Sequence, residues 1–484
     1  MQKAAAPMGA TRRSESLRFQ WENDTHSGLN ATRVARALRP ETAEEVAVSV
    51  SRHRHAGQSF AIAGGRHAMG GQQFLSNGTL LDMRRMNAVR SFDAERGLLE
   101  VEAGMTWPDV MRAYLKCERP DGPRWGVRQK QTGADRLTIG GAVSANIHGR
   151  ALTAPPVVAD IESLEVVTSS AEILRCSRTC NADLFRLVVG GYGLFGVVTA
   201  ATLRLVPRVQ VERVVTMMDV ESLISALDSR IAAGHLYGDF QFATDPGDSR
   251  FLRTGVLSCY RPTGETRPIE PRQRRLTQQD WNRLVQLAHC DKRRAFEEFS
   301  DFYLATSGQR YWSDTHQLNL YLESYHRALD ARLNREVRGG EMITELFVPQ
   351  ERLPQFMDDV RRDFRRHAVD CIYGTIRLIE CDTETALPWA REDFACVIFN
   401  LHVDHEPKAI ARAESAFRQL IDYALAYEGS YFLTYHRYAT ARQLIAAHPA
   451  ILRFMQAKRA LDPGEVFQSD WYRHTKGLLE ERGS

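Results

Sequence analysis

The sequence predicts an α+β fold built from more than one domain, and three observations lead there. At 484 residues the chain is longer than one ordinary core supports. Up to Pro207, short apolar runs of strand length alternate with helix-like segments and glycine-rich stretches. Beyond Pro207, strand-like runs are separated by long amphipathic helices, the pattern of a sheet backed by helices.

The bulk properties narrow the class. Hydrophobic residues make up 43% and charged residues 25%, as in a soluble globular protein. The 63 basic residues nearly cancel the 60 acidic ones, leaving a net charge of +3, and no basic stripe interleaved with aromatics marks a nucleic-acid partner. No window holds the roughly 18 consecutive apolar residues of a membrane span. The opening "MQKAAAPMGATRRSES" lacks the apolar run of a secretory signal. Residues 1–32 read as a disordered or extended lead-in, and a cytoplasmic location is expected. Eight cysteines are scattered, with Cys176 and Cys180 the closest pair and no second pair beside them. Free thiols and no metal site are expected.

Taken in order, Thr42 is placed to cap a helix carrying Val46, Val48 and Val50. "SFAIAG" (59–64), "GTLLDM" (78–83) and "LLEVEAG" (98–104) read as strands. "WPDVMRAYLK" (107–116) reads as a helix opened by Pro108. "SLEVVTSS" (163–170) reads as a strand and "DLFRLVVG" (183–190) as a helix. "GVVTAATLRLVP" (196–207) is a strand ending at a proline, where a domain boundary is drawn. Further on, "GDFQFAT", "MITELFVP", "TIRLIEC" and "ACVIFNLHV" are strand-like, and residues 351–367 and 406–429 are helical. "TRPIEPRQRRL" (266–276) reads as a solvated loop.

Glycine clusters three times, at 64–71, 133–149 and 190–196. "GYGLFG" (191–196) has the spacing of a dinucleotide fingerprint, but it follows a helix-like run and precedes a strand. A Rossmann unit needs the reverse order, so that a helix N-terminus faces the pyrophosphate. A nicotinamide Rossmann domain is therefore rejected. The three stretches could instead converge and offer backbone N–H groups to a diphosphate as an anion nest.

"AGGRHAMGG", then "LTIGGAVSANIHG", then "GGYGLFGVVTAATLRLVP" together resemble the FAD-binding domain of the vanillyl-alcohol oxidase and p-cresol methylhydroxylase superfamily. The tail "LDPGEVFQSDWYR" (461–473) resembles the C-terminal segment of decaprenylphosphoryl-ribose oxidases and of sugar-alcohol or aldonolactone oxidases. The resemblance implies a two-lobed FAD-binding domain over 33–207 and a substrate cap over 208–430, an antiparallel sheet backed by helices. A segment over 431–484 would return to the FAD domain. It also implies a cofactor site. Ala61, Gly64, Gly65, Arg66, Ala68, Met69, Gly70 and Gly71 would cradle the pyrophosphate around His67. Gly133, Thr138, Gly140, Gly141, Ala145, Asn146 and His148 would line the flavin and ribityl chain, and Val197 would touch the adenine side.

His67 falls where covalent relatives carry a histidine bonded to the flavin 8α-methyl. A neutral imidazole is a competent nucleophile for that carbon. The alternative is a histidine that hydrogen-bonds a phosphate or packs by the ring. The local text departs from the commoner G-x-G-H-S form, with Arg66 in place of glycine and Ala68 in place of serine.

Alcohol oxidation needs a proton acceptor and a substrate held against the flavin. In "FLTYHRYAT" (432–440), His436 falls where sugar-oxidising relatives carry a lysine, or else it is a strand-end histidine that caps backbone. Arg377 in "GTIRLIEC" resembles a basic substrate-binding residue and shares a strand face with Thr375 and Ile379. In "VIFNLHVDHE", Asn400, His402 and Asp404 point one way and could line a polar pocket. His402, Asp404 and His405 are poor metal ligands, because neighbours in a strand face opposite sides. The expected activity is oxidation of a hydroxyl carbon of a sugar, polyol, lactone or sugar-bearing metabolite. Oxygen would be the acceptor, giving hydrogen peroxide, with another electron carrier as the alternative. A flavin-fold binding protein without catalysis is the reading from a different class.

Overall fold

A computed structural model describes residues 19–118, 122–318 and 325–481. The first sheet is small and parallel: Thr79–Asp82 lies between Arg36–Leu38 and Phe60–Ala63. The helix Ala43–His55 packs beside it because Val46 and Val50, four residues apart, fall on one face with Phe60 and Leu81. Val48 falls on the other face and is exposed. Thr42 caps this helix by accepting from the Glu45 N–H.

A five-stranded antiparallel sheet follows, with Val197–Arg204 at its centre between Ile161–Val167 and Leu98–Glu102. The helix Trp107–Lys116 carries Pro108 in its first turn and buries Trp107, Val110, Met111 and Tyr114. The third large element is an eight-stranded antiparallel sheet running from Arg310–Trp312 at one edge to Ser430–Tyr431 at the other. At its heart Cys371–Ile379 pairs with Phe394–Asp404, which pairs with Gly339–Pro349. The helices Leu353–His367 and Pro407–Ala426 cover this sheet through buried side chains such as Phe356, Val360, Phe417 and Ile421. Residues 266–276 are exposed and irregular.

The chain end comes back to the first sheet. Phe60 N–H donates to Val466 C=O, and Gln468 N–H donates to Phe60 C=O. This return is anchored by Asp462, whose carboxylate accepts from Val466 and Phe467 N–H and pairs with the buried Lys458. All eight cysteines are free thiols. Among the described residues no helix is long and apolar enough to cross a membrane.

Two segments differ from the sequence reading. Residues 1–18 of the expected lead-in lie outside the described residues, but Gln20–Glu22 pairs with Thr32–Val34, and the intervening loop packs on the glycine-rich stretch at 64–71. Its order comes from polar contacts distant in sequence: Thr25 N–H donates to Arg66 C=O and Asn30 Nδ2 to Met69 C=O. Residues 432–440 are turn and coil, since the edge strand stops at Tyr431. His436 is therefore not a strand-end residue.

Candidate functional site

Two glycine-rich loops meet at Gly64 and Thr138. A methyl group on Gly64 would stand 2.1 Å from Thr138 Oγ1, so only glycine lets the loops close. Thr138 caps the short helix Ile139–Ala145 by accepting from Gly141 N–H, and Gly140 N–H donates to Ala103 C=O. Arg66, standing where the commoner motif has glycine, adopts the left-handed φ of 61°. It is held there by ion pairs to Glu22 (2.7 Å) and Asp82 (3.5 Å).

These loops form one side of a cavity of about 400 Å³, and the eight-stranded sheet forms the other. The volume is in the ordinary range for a small-molecule site. Gly64, Gly65, Arg66, His67, Ala68 and Met69 line it, as do Gly133, Thr138, Gly140, Gly141 and Ala145. From the sheet, Thr375, Arg377 and Asn400 line it as the strand parity requires.

Other expected residues stand off the cavity. The Ala61 side chain packs into a core with Phe74 and Leu80, and the residues of this strand that line the space are Ile62 and, at the strand end, Ala63. Val197 packs with Val46 and Phe467 while Val198 lines the cavity, a one-residue parity correction. Gly70 N–H is taken by Gln72 Oε1, and Gly71 lies against Arg437. Asn146 turns away to Asp382 and Val158 N–H. His436 stacks on Tyr438, and Tyr435 takes the cavity position instead. His405 reaches Ser27 C=O, away from Asp404.

The sequence reading missed the polar centre. Glu345, buried in the strand Gly339–Pro349, accepts from Tyr435 Oη (2.5 Å) and Gln131 Nε2 (3.3 Å), and pairs with His148 Nε2 (2.8 Å). Burial alone would raise its carboxyl, but His148, Tyr435 and Arg377 outweigh this and hold it below the usual glutamate range. Burial and the Glu345 charge push the Tyr435 phenol well above its ordinary value, so it remains a donor. His148, expected beside the flavin, does not line the cavity and pairs with Glu345 behind its wall. A lone glutamate inside the apolar run "MITELFVP" was the signal available in the sequence.

Several polar atoms at the cavity wall are shielded from solvent and have no hydrogen-bond partner among the described residues. They include Arg377 Nε and Nη1, Thr375 Oγ1, Thr132 Oγ1 and Gln131 Oε1. Buried groups of this kind are costly unless a ligand satisfies them. The far end of the cavity is aromatic and aliphatic, walled by Trp281, Leu284, Phe296, Phe299 and Tyr303 from two helices.

His67 Nδ1 lies 3.0 Å from His26 Nε2, so one ring donates an N–H to the other. Burial and the neighbouring His26 push His67 down to about 3, and burial pushes His26 down to about 4. Both rings are neutral at physiological pH.

Comparison with known proteins bears on what fills this cavity. Residues 34–177 match the family model described as FAD binding domain. The chain is similar to cytokinin dehydrogenase 4 of Oryza sativa subsp. japonica, 29% identical over 259 residues, which are 51% of this chain and 46% of the relative. It is also similar to an uncharacterized oxidoreductase, ORF5 in the fasciation locus of Rhodococcoides fascians, 35% identical over 147 residues (30% and 32%). Cytokinin dehydrogenase 1 of Arabidopsis thaliana is 29% identical over 178 residues (35% and 30%). The chain thus spans less than half the length of each of these relatives.

Proposed function

Residues 34–177 are an FAD-binding domain of the vanillyl-alcohol oxidase and p-cresol methylhydroxylase superfamily, and from that premise we propose that the chain is an FAD-dependent oxidoreductase. Its donor is a hydroxyl-bearing carbon at the polar end of a small amphipathic molecule. The cavity suits FAD: two loops close through Gly64, and the wall carries buried polar atoms that lack a partner among the described residues. Residues 64–69 and 132–145 would hold the cofactor, with His67 placed among them as the candidate tether. When bound, FAD supplies the hydride acceptor.

The observation that carries the donor class is Arg377 beside the Glu345–Tyr435 pair. A buried guanidinium with two free N–H groups recognises an oxygen-bearing donor and repels an ammonium. Glu345, ionised and in line with Tyr435, is the proton acceptor, reached directly or through the phenol. Asn400 donates to Glu341 at the cavity wall and keeps its carbonyl oxygen for substrate. The aromatic far end excludes water and accepts the apolar part of the donor.

A second reading, a cytokinin or a molecule like it, is suggested by the names of the relatives. Trp281, Phe299 and Tyr303 favour it as faces on which a planar body could stack. Anaerobic mixing with a panel of primary and secondary alcohols, sugar lactols and cytokinins, read as loss of flavin absorbance, separates the two. Bleaching by cytokinins alone would overturn the hydroxyl reading. Rapid reoxidation in air marks an oxidase releasing hydrogen peroxide, and slow reoxidation marks transfer to another carrier.

A further inference from the structure

We propose that His289, His326 and His402 form a binding site for a divalent transition-metal ion of the zinc class at the cavity wall. The three residues come from separate elements: the end of the helix Gln278–Cys290, the helix Tyr325–Arg332 and the strand Phe394–Asp404. One ring nitrogen from each lies within 4.8 Å of the others. Ligand nitrogens around tetrahedral zinc stand about 3.3 Å apart, given metal–nitrogen bonds near 2.0–2.1 Å. Small ring rotations close that difference.

Four nitrogens here are shielded from solvent and have no hydrogen-bond partner among the described residues. They are His289 Nδ1, His326 Nδ1, His326 Nε2 and His402 Nδ1. Hydrogen bonds engage His289 Nε2, with the Tyr325 hydroxyl, and His402 Nε2, with Asp404 and Arg335; a soft or borderline cation would use the lone pairs that these bonds leave over.

The surroundings fit as well. Asp404 Oδ1, 3.1 Å from His402 Nε2, can accept that N–H and leave Nδ1 as the ligand atom. Arg335 Nη1 lies 2.7 Å from the same Nε2, so metal binding selects the other tautomer and moves Arg335 toward Asp330, now 3.8 Å away. Glu341 Oε1, 4.0 Å from His326 Nε2, offers a carboxylate as the fourth group. His289 and Glu341 both line the cavity, so an open coordination position would face the substrate compartment. There the ion would polarise a donor atom at the end of the molecule that is not oxidised.

The test uses tag-free holoprotein stripped with a chelator and titrated with Co²⁺, whose ligand-field bands lie to the red of flavin absorption. The expected result is one equivalent per chain in a four- or five-coordinate spectrum, displaced by Zn²⁺. The signal should be lost in His326→Ala, weakened at least about tenfold in Asp404→Asn, and unchanged in the surface control His55→Ala. Flavin content reports that each variant is folded. No Co²⁺ spectrum in the wild-type protein overturns the proposal. So does a spectrum that survives both His326→Ala and His289→Ala. Neither readout depends on turnover, so this inference and the donor assignment fail separately.

Discussion

Tyr435 donates its phenolic hydrogen to Glu345 Oε1 across 2.5 Å, joining the coil after the edge strand Ser430–Tyr431 to the strand that pairs with it. The contact brings the returning chain end and the sheet to the same cavity wall. It also sets up a carboxylate whose remaining oxygen is already held by His148. Replacing Glu345 with Gln should leave flavin content intact and lower the rate of flavin reduction by about 10²–10⁴-fold, the range for removal of a general base. Tyr435→Phe should cost less, because the carboxylate remains. Since the Glu345 carboxyl sits below the ordinary glutamate range, it is ionised at neutral pH. The reduction rate should therefore stay flat from pH 7 down to the ordinary carboxylate range and fall only below it. Stopped-flow flavin reduction against pH checks both outcomes.

Arg377→Gln should raise KM about 10–100-fold, the weight of hydrogen bonds to a charged group, with a smaller effect on kcat. Arg377→Lys should not restore binding, because a single ammonium does not reproduce the two N–H groups aimed into the cavity. Steady-state kinetics on the best donor decides. An unchanged KM would remove Arg377 from substrate recognition.

How much of this was readable beforehand depended on how local the signal was. The capping Thr42, the Val46–Val50 face and the glycine loops are encoded within a few residues, and the structure carries them. Arg377 was found by resemblance and Asn400 by strand alternation, and both line the cavity because the strand parity that sets their faces survives as long as the strands do. His436 was chosen by its place in the resemblance, and the coil over residues 432–440 instead turns Tyr435 to the cavity. His26 meets His67 across 41 positions, and the three clustered histidines come from three elements. Such meetings are decided by tertiary packing, for which the sequence carries no periodic trace.

His67→Ala should abolish acid-stable flavin if the tether forms. The wild-type ring is held near 3 by burial and by His26, so it is in the neutral form that can act as a nucleophile throughout the physiological range. His26→Ala should slow attachment by removing the partner that fixes the His67 tautomer. The measurement is the yellow colour of the acid-precipitated pellet after reconstitution with FAD. A wild-type pellet that is already colourless would show that His67 contacts the cofactor without bonding to it.

The buried histidines make the protein labile in acid. His26 and His436 are lowered to about 4, and His67, His326 and His448 to about 3, in each case first by burial. Between the ordinary histidine value of about 6.5 and these folded values, the unfolded chain binds protons that the native chain refuses. Stability therefore rises with pH across that interval and is lost as the pH falls through it. Denaturant midpoints should drop steadily from pH 7 to pH 4.5.

Gly64→Ala tests the loop closure itself. The added methyl would meet Thr138 Oγ1 at 2.1 Å and Thr138 Cβ at 3.2 Å, so one loop must move. Overpacking of this kind typically costs about 1–3 kcal/mol. Here the strain falls on the two segments that line the cofactor side of the cavity, Gly64–Met69 and Thr132–Ala145. Flavin retention should fall more than thermal stability, because the five-stranded and eight-stranded sheets do not pass through the contact. Thr138→Ala in the same chain removes the closer clash and should recover part of the flavin content, at the cost of the cap on Gly141 N–H. Flavin-to-protein absorbance ratios for the two variants, set beside their melting temperatures, separate a local opening of the loops from a general loss of the fold.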